Sequence, residues 1–268
     1  MRLHSLIENA FLRAADVLYR RFPQPVPNVK RLKHCRLISH RGDHENPGVL
    51  ENTVPAFEAA VAGGVWGIEF DVRWTRDLQP VVIHDPDTRR LFGTGLHIRQ
   101  STYRVLRQTH PLIPHLEEVV EAFGGRIHLM VELKAEPYPD PGYQRRCFER
   151  IFSSLAPRRD FHLISLAPKL FDLIGFVPER ALLPVAQVNI GAMSKLVATR
   201  GLGGLLGHYV MMTDSTVNKH SKLGQATGTG FVDSKNCLFR ELNRGITWLF
   251  SNRAVAMQWI VNTSLDTS

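Results

Sequence analysis

The sequence predicts an α/β chain folded as a TIM-type, parallel (β/α)8 barrel, and three observations carry that expectation. Short apolar runs alternate with helical patterns about eight times. Several of the helical patterns close on glycine, as helices in such folds commonly do. The 268 residues are an ordinary length for one barrel and enough to bury a large core.

Taken in order, residues 3–22 come first. Leu3, Ile7, Ala10, Phe11, Ala14, Val17, Leu18 and Phe22 recur at helical spacing, with Arg2, Arg13, Arg20 and Arg21 largely off that stripe. A basic amphipathic helix is expected, packed across one end of the domain, with peripheral contact to a membrane surface as the second reading. Pro23, Pro25 and Pro27 end it and make a stiff connector, so residues 1–28 separate from a barrel domain over 29–268.

Nine strand candidates follow: CRLISH, WGIEFDVR, PVVIHD, IHLMVELK, FHLISL, ALLPVAQV, GGLLGHYVMM, GTGFVDS and ITWLFSN. A barrel has eight places, so one of the two candidates between 181 and 212 is expected to lie outside it. TVPAFEAAVAGG, PHLEEVVEAFGG, YQRRCFERIFSSL and KNCLFRELNRG read as helices between strands.

Composition narrows the classes. Hydrophobic residues make up 44% and charged residues 22%, with no apolar segment near the roughly 20 residues of a membrane-spanning helix. Lys plus Arg (33) exceed Asp plus Glu (25), which favours anionic partners. The surplus is diffuse and carries no nucleic-acid motif, so a phosphate ester or acidic headgroup is the better match than nucleic acid. Cys35, Cys147 and Cys237 are odd in number and far apart, with no C-x-x-C, which argues against a disulfide framework or zinc site and for a reducing compartment. The N-terminus has no continuous apolar core of a signal peptide. A cytoplasmic protein is expected, peripheral at the membrane if residues 3–22 bind there.

In a barrel the chemistry sits at the carboxyl ends of the strands. Here His40 and Arg41 close the first run, Glu69 and Asp71 the second, His84 and Asp85 the third, and Glu132 and Lys134 the fourth. Alternate strand residues share a face, so Glu69 pairs with Asp71 and Glu132 with Lys134. Three buried carboxylates together call for a cation, and all-oxygen ligation suits one divalent cation, Mg²⁺ or Ca²⁺. His40 and His84, of a type titrating near neutral pH, would supply general base and acid, while Arg41 and Lys134 bind the non-bridging oxygens of a phosphate. The set suits phosphodiester cleavage; acyl transfer has no G-x-S-x-G here.

These stretches resemble the glycerophosphodiester phosphodiesterases. His40-Arg41-Gly42 followed by Glu51-Asn52-Thr53 looks like that family's H-R-G and E-N-T. GIEFDVRWTRDLQPVVIHDPDTRRLFG resembles its E-x-D, T-x-D and H-D run, and IPHLEEVVEAF and VELK resemble the approach to its fourth strand. The detailed likeness covers about 30–134. It implies a phospholipase-C-like barrel, a divalent metal on Glu69, Asp71 and Glu132, and catalysis by His40 and His84. It also implies a small insertion after the third strand, supplied by residues 86–114 and partly capping the site. Two departures stand out: Leu50 replaces the usual proline before E-N-T, and Gly230-Phe231-Val232-Asp233 replaces a late W-T-V-N. The expected activity is metal-dependent hydrolysis of a small-molecule glycerophosphodiester to sn-glycerol 3-phosphate and an alcohol. A lysophospholipase D and a catalytically silent phosphoanion-binding barrel are the alternatives.

Overall fold

A computed structural model describes residue 17 and residues 19–267. Its strands are β1 (Arg36–His40), β2 (Gly67–Trp74), β3 (Pro80–Val82), β4 (His128–Leu133), β5 (Phe161–Ser165), β6 (Leu182–Ala186), β7 (Gly204–His208), β8 (Ala226–Gly230) and β9 (Trp248–Ser251). β1, β2 and β4 to β9 pair in parallel, and β9 pairs back onto β1, so the eight close into a barrel. Helices such as Val54–Ala62, Leu116–Phe123, Pro141–Ile151, Ile190–Arg200, Asp214–Lys222, Lys235–Asn243 and Ala254–Asp266 connect them. Among the described residues no helix is long and apolar enough to cross a membrane.

The extra strand is not where the sequence placed it. Both candidates between 181 and 212 are barrel strands, with Val185 in register with Leu206. The outsider is β3, which runs antiparallel on β2 with Val72 opposite Val82. The reason is reach: only residues 75–79 separate the two, and a parallel return needs a crossover of about a dozen residues or more. A tight turn forms instead, closed by Thr75 N–H to Gln79 C=O (3.0 Å). Pro80, with no N–H to give, opens the strand, a position that tolerates it. The insertion therefore hangs from a hairpin rather than from a barrel strand, around a small core of Val81, Ile83, Ile98, Leu106 and Ile113.

Strand alternation sets the two larger cores. Ile38, Met130, Ile164, Leu183, Leu206, Trp248 and Phe250 fill the barrel interior. Leu37, Ile68, Phe70, Val72, Leu129, Val131 and Leu133 face outward onto the helices, where Phe57 packs on Phe70 and Phe123. Burying each such phenylalanine stabilises by about 1.5–3 kcal/mol. The inner face of β2 thus runs Gly67, Glu69, Asp71, and that of β4 runs His128, Met130, Glu132. Polar residues reach the barrel axis only at its two ends. At the amino end, His128 and His162 hydrogen-bond (2.8 Å), Trp66 stacks on His128, and the Arg36 guanidinium lies 5.0 Å from the Trp66 ring centre. The carboxyl end holds the acidic groups.

The helix expected over 3–22 falls mostly outside the described residues. Its last part is tied to the barrel flank: Tyr19 meets Tyr209 edge-on, Arg240 lies 4.4 Å over its ring, and Asn236 donates to the Arg20 carbonyl.

Candidate active site

Register brings the acidic groups together. His40 lies opposite Glu69, and Asp71 opposite Glu132. One carboxylate oxygen of each of Glu69, Asp71 and Glu132 lies within 4.8 Å of the others. Glu69 and Asp71 are almost wholly buried.

The loop after β1 shapes the rim. Arg41 and Gly42 both take left-handed backbone angles (φ 61° and 81°). A side chain at Gly42 would sit 2.8 Å from the Ala56 carbonyl carbon, so glycine is required there. The turn directs the Arg41 N–H to Glu69 Oε2 (3.1 Å) and its Nη1 to Glu51 (2.8 Å). Asn52 clamps the loop on β2, giving its Nδ2–H to Asp71 Oδ2 (2.8 Å) while its Oδ1 accepts from Asp71 N–H (3.2 Å). Arg90, in helix Arg89–Phe92 of the insertion, forks onto Glu51 (2.6 and 2.9 Å) and binds Asp85 (2.5 Å). Against its partial burial, Arg90 and Arg41 hold the Glu51 carboxyl down to about 2.

Lys134 is shared between two carboxylates. Its Nζ bridges Asp71 Oδ1 (2.5 Å) and Glu132 Oε1 (2.7 Å). Although burial opposes it, the charges of Lys134 and Arg41 keep the Asp71 carboxyl below the usual carboxylate range. Glu69 moves the other way: burial, then the charges of Asp71 and Glu132, push it well above the ordinary range. Glu132 is also raised, by burial and Asp71. Glu69 Oε1 is buried with no hydrogen-bond partner among the described residues. The donor set fits a hard divalent cation: all oxygen, one of them orphaned, and three carboxylates against the two charges of Arg41 and Lys134. The cation would reverse the residual negative charge to a positive one, which a phosphodiester monoanion cancels.

The two histidines differ in what backs them. The amide of Asn252 gives its Nδ2–H to Asp233 Oδ2 (3.1 Å), and its N–H binds Asp233 Oδ1 (2.9 Å). Asn252 Oδ1 therefore faces His40, whose Nδ1–H donates to it (2.8 Å), and the unprotonated Nε2 points 3.8 Å from Glu69. This tautomer is assigned from the hydrogen-bond network. Burial, helped by Arg41, lowers His40 to about 4. His84, just beyond β3, gives its Nδ1–H to a carboxylate, Asp85 (2.7 Å). Burial lowers it too, opposed by the charge of Asp71. Arg73 holds the His84 carbonyl (2.7 Å), which fixes the hairpin end over the barrel mouth.

All but Asp71 of the seven residues singled out in the sequence line one cleft of about 370 Å³, with Asp71 buried directly beneath. The rest of the lining is mainly an apolar wall, Ile164, Leu166, Val185, Leu206, Met211, Phe231 and Phe250, with Gln187 as a polar member. His208 also lines the cleft. His44 keeps both ring nitrogens buried with no hydrogen-bond partner among the described residues. Sequence reasoning missed Asn252, Asp233, Asn52 and Arg90; the E-N-T triplet was the available signal for Asn52, and the departure at Asp233 was noted without its partner.

Residues 40–150 match the model of the glycerophosphoryl diester phosphodiesterase family. A glycerophosphodiester phosphodiesterase of Bacillus altitudinis is 35% identical over 129 residues, covering 43% of this chain and 52% of that protein. A lysophospholipase D of Rattus norvegicus is 37% identical over 106 residues, 33% of each chain. The match thus spans about half the length of the first and a third of the second. Among solved structures, an Oleispira antarctica phosphodiesterase in complex with the product sn-glycerol-3-phosphate superposes with a TM-score of 0.73 at 19% identity, covering 86% of this chain and 96% of that one. At that identity the likeness is one of fold.

Proposed function

Because residues 40–150 belong to the glycerophosphoryl diester phosphodiesterase family, we propose that the chain hydrolyses glycerophosphodiesters to sn-glycerol 3-phosphate and an alcohol. The observation that carries this reading is that two differently backed histidines line one cleft with Glu69 and Glu132 of a close carboxylate trio. Glu69, Asp71 and Glu132 would hold one divalent cation, Mg²⁺ or Ca²⁺, which when bound supplies positive charge to the phosphate oxygens.

The chain's own groups do the rest. Arg41 and Lys134 stand beside the same oxygens; an ammonium has three donors, and Asp71 and Glu132 take two, leaving one for substrate. His40, neutral near pH 7 and held with Nε2 free, removes the nucleophile's proton. His84 protonates the leaving alkoxide, because the Asp85 carboxylate on its Nδ1 stabilises the imidazolium that must form first. A carboxamide behind one ring and a carboxylate behind the other thus separate base from acid.

The apolar wall favours a second reading, in which the diester retains an acyl chain and the activity is that of a lysophospholipase D. One assay tests both: phosphorus NMR of glycerophosphocholine, glycerophosphoethanolamine and a lysophospholipid, each with Mg²⁺, Ca²⁺ or chelator. Cation-dependent release of sn-glycerol 3-phosphate supports the first, faster turnover of the lysophospholipid to an acylated phosphate the second, and no turnover of any diester rejects both.

A further inference from the structure

We infer that the flank between helices Lys235–Asn243 and Ala254–Asp266 docks the barrel on an anionic bilayer surface, with Trp259 as the interfacial anchor. Trp259 is 69% exposed, unlike the buried Trp74 and Trp248. It lines an open groove with Ile260 and Met257, and three cations, Arg20, Lys235 and Arg253, line the same groove. No ion pair joins any of the three to a carboxylate among the described residues. The single acid there, Asp233, is already engaged by Ser251 and Asn252. An aromatic ring of amphipathic character beside three cations with no ion-pair partner among the described residues matches the headgroup region of a membrane carrying acidic phospholipid.

Position strengthens the case. Asp233 and Ser234 follow β8 and Arg253 follows β9, so the groove lies at the carboxyl end of the barrel, the end that carries the cleft. Phe231, 42% exposed, lines the cleft two residues before Asp233. Docking through the groove would set the apolar wall of the cleft next to the bilayer. The proposal does not depend on the proposed activity, since lipid binding is read without substrate.

The experiment is co-sedimentation of the full chain with phosphatidylcholine vesicles with and without phosphatidylglycerol, together with quenching of tryptophan emission by brominated lipid. Binding only to the acidic vesicles is expected, with quenching that Trp259→Phe removes. Lys235→Glu with Arg253→Glu is expected to weaken binding by at least about tenfold, since each cation near such a surface contributes measurably, and to leave turnover of a water-soluble diester within about twofold. Binding unchanged by these substitutions, binding that ignores lipid charge, or an absence of binding would each overturn the proposal. So would acrylamide failing to quench Trp259 in the lipid-free protein, which would mean that the groove is already covered.

Discussion

His40 Nδ1 lies 2.8 Å from Asn252 Oδ1, and the amide cannot be turned round without setting its carbonyl against the Asp233 carboxylate. One side chain from the loop after β9 thereby decides which nitrogen of a histidine on β1 carries the proton. Asn252→Ala is expected to lower kcat by about 10- to 100-fold, within the range for losing a general base's alignment, with the melting temperature nearly unchanged. Nitrogen-15 NMR of the imidazole would show one tautomer in the native protein and a mixture in the variant. A single unchanged tautomer would remove Asn252 from this role.

Glu69 gives the second expectation, with opposite signs for stability and activity. Burial and the charges of Asp71 and Glu132 raise its pKa well above 4.5, so without a cation its ionisation opposes folding increasingly as pH rises through and beyond that value. Glu69→Gln mimics the neutral form. In chelator at pH 8 the variant should melt higher than the native chain. Added Mg²⁺ or Ca²⁺ should raise the melting temperature of the native protein by ligand linkage and that of the variant hardly at all, with turnover down by at least about 100-fold. Equal responses of the two proteins to the cation would contradict a metal ligand at Glu69.

How much of this was legible in the sequence depends on range. Glu69 and Asp71 alternate on one strand, so their shared face followed from spacing alone, while barrel register brings His40 and Glu132 beside them. The β3 segment carries the same apolar signature as a barrel strand, and only the short connection over residues 75–79 betrays its antiparallel return. Lys134 was readable as facing inward, yet nothing in the spacing says that it also bridges Asp71 and Glu132. Asn252 stands 212 residues from His40, in a loop with no composition of its own. Contacts of that kind arise from barrel closure, which places the last strand beside the first, and no local pattern encodes the partner.

The floor of the barrel predicts an acid-side loss of stability. Burial lowers His128 to about 4 and, with the neighbouring charge of His128, His162 to about 3, from an ordinary value of 6.5. Both stay neutral in the fold while the unfolded chain takes up protons below pH 6.5, so stability is full above that pH and falls as pH drops towards 4. His162→Gln keeps a donor for His128 and removes one titrating ring. Urea melts from pH 7 to pH 5 should give a slope smaller by about one proton, close to 1.4 kcal/mol per pH unit at the acid end. An unchanged slope would mean that His162 is protonated in the native protein.

The division of labour between the histidines is tested through the leaving group. An aryl alkoxide needs little protonation to depart, and an alkyl alkoxide needs a full proton, so a general acid matters only for the second. His84→Ala is expected to cut turnover of an alkyl glycerophosphodiester by about 10²- to 10⁴-fold and to spare a nitrophenyl ester within about tenfold. His40→Ala should impair both alike, because the nucleophile is the same. Asp85→Asn refines the assignment: with no carboxylate on Nδ1 (2.7 Å in the native site) the imidazolium is less favoured, His84 loses its proton at lower pH, and the alkaline limb of the alkyl rate profile moves to lower pH. The nitrophenyl profile should keep its shape. Should His84→Ala slow both esters equally, the proton reaching the leaving oxygen comes from elsewhere, and His84 belongs to substrate binding instead.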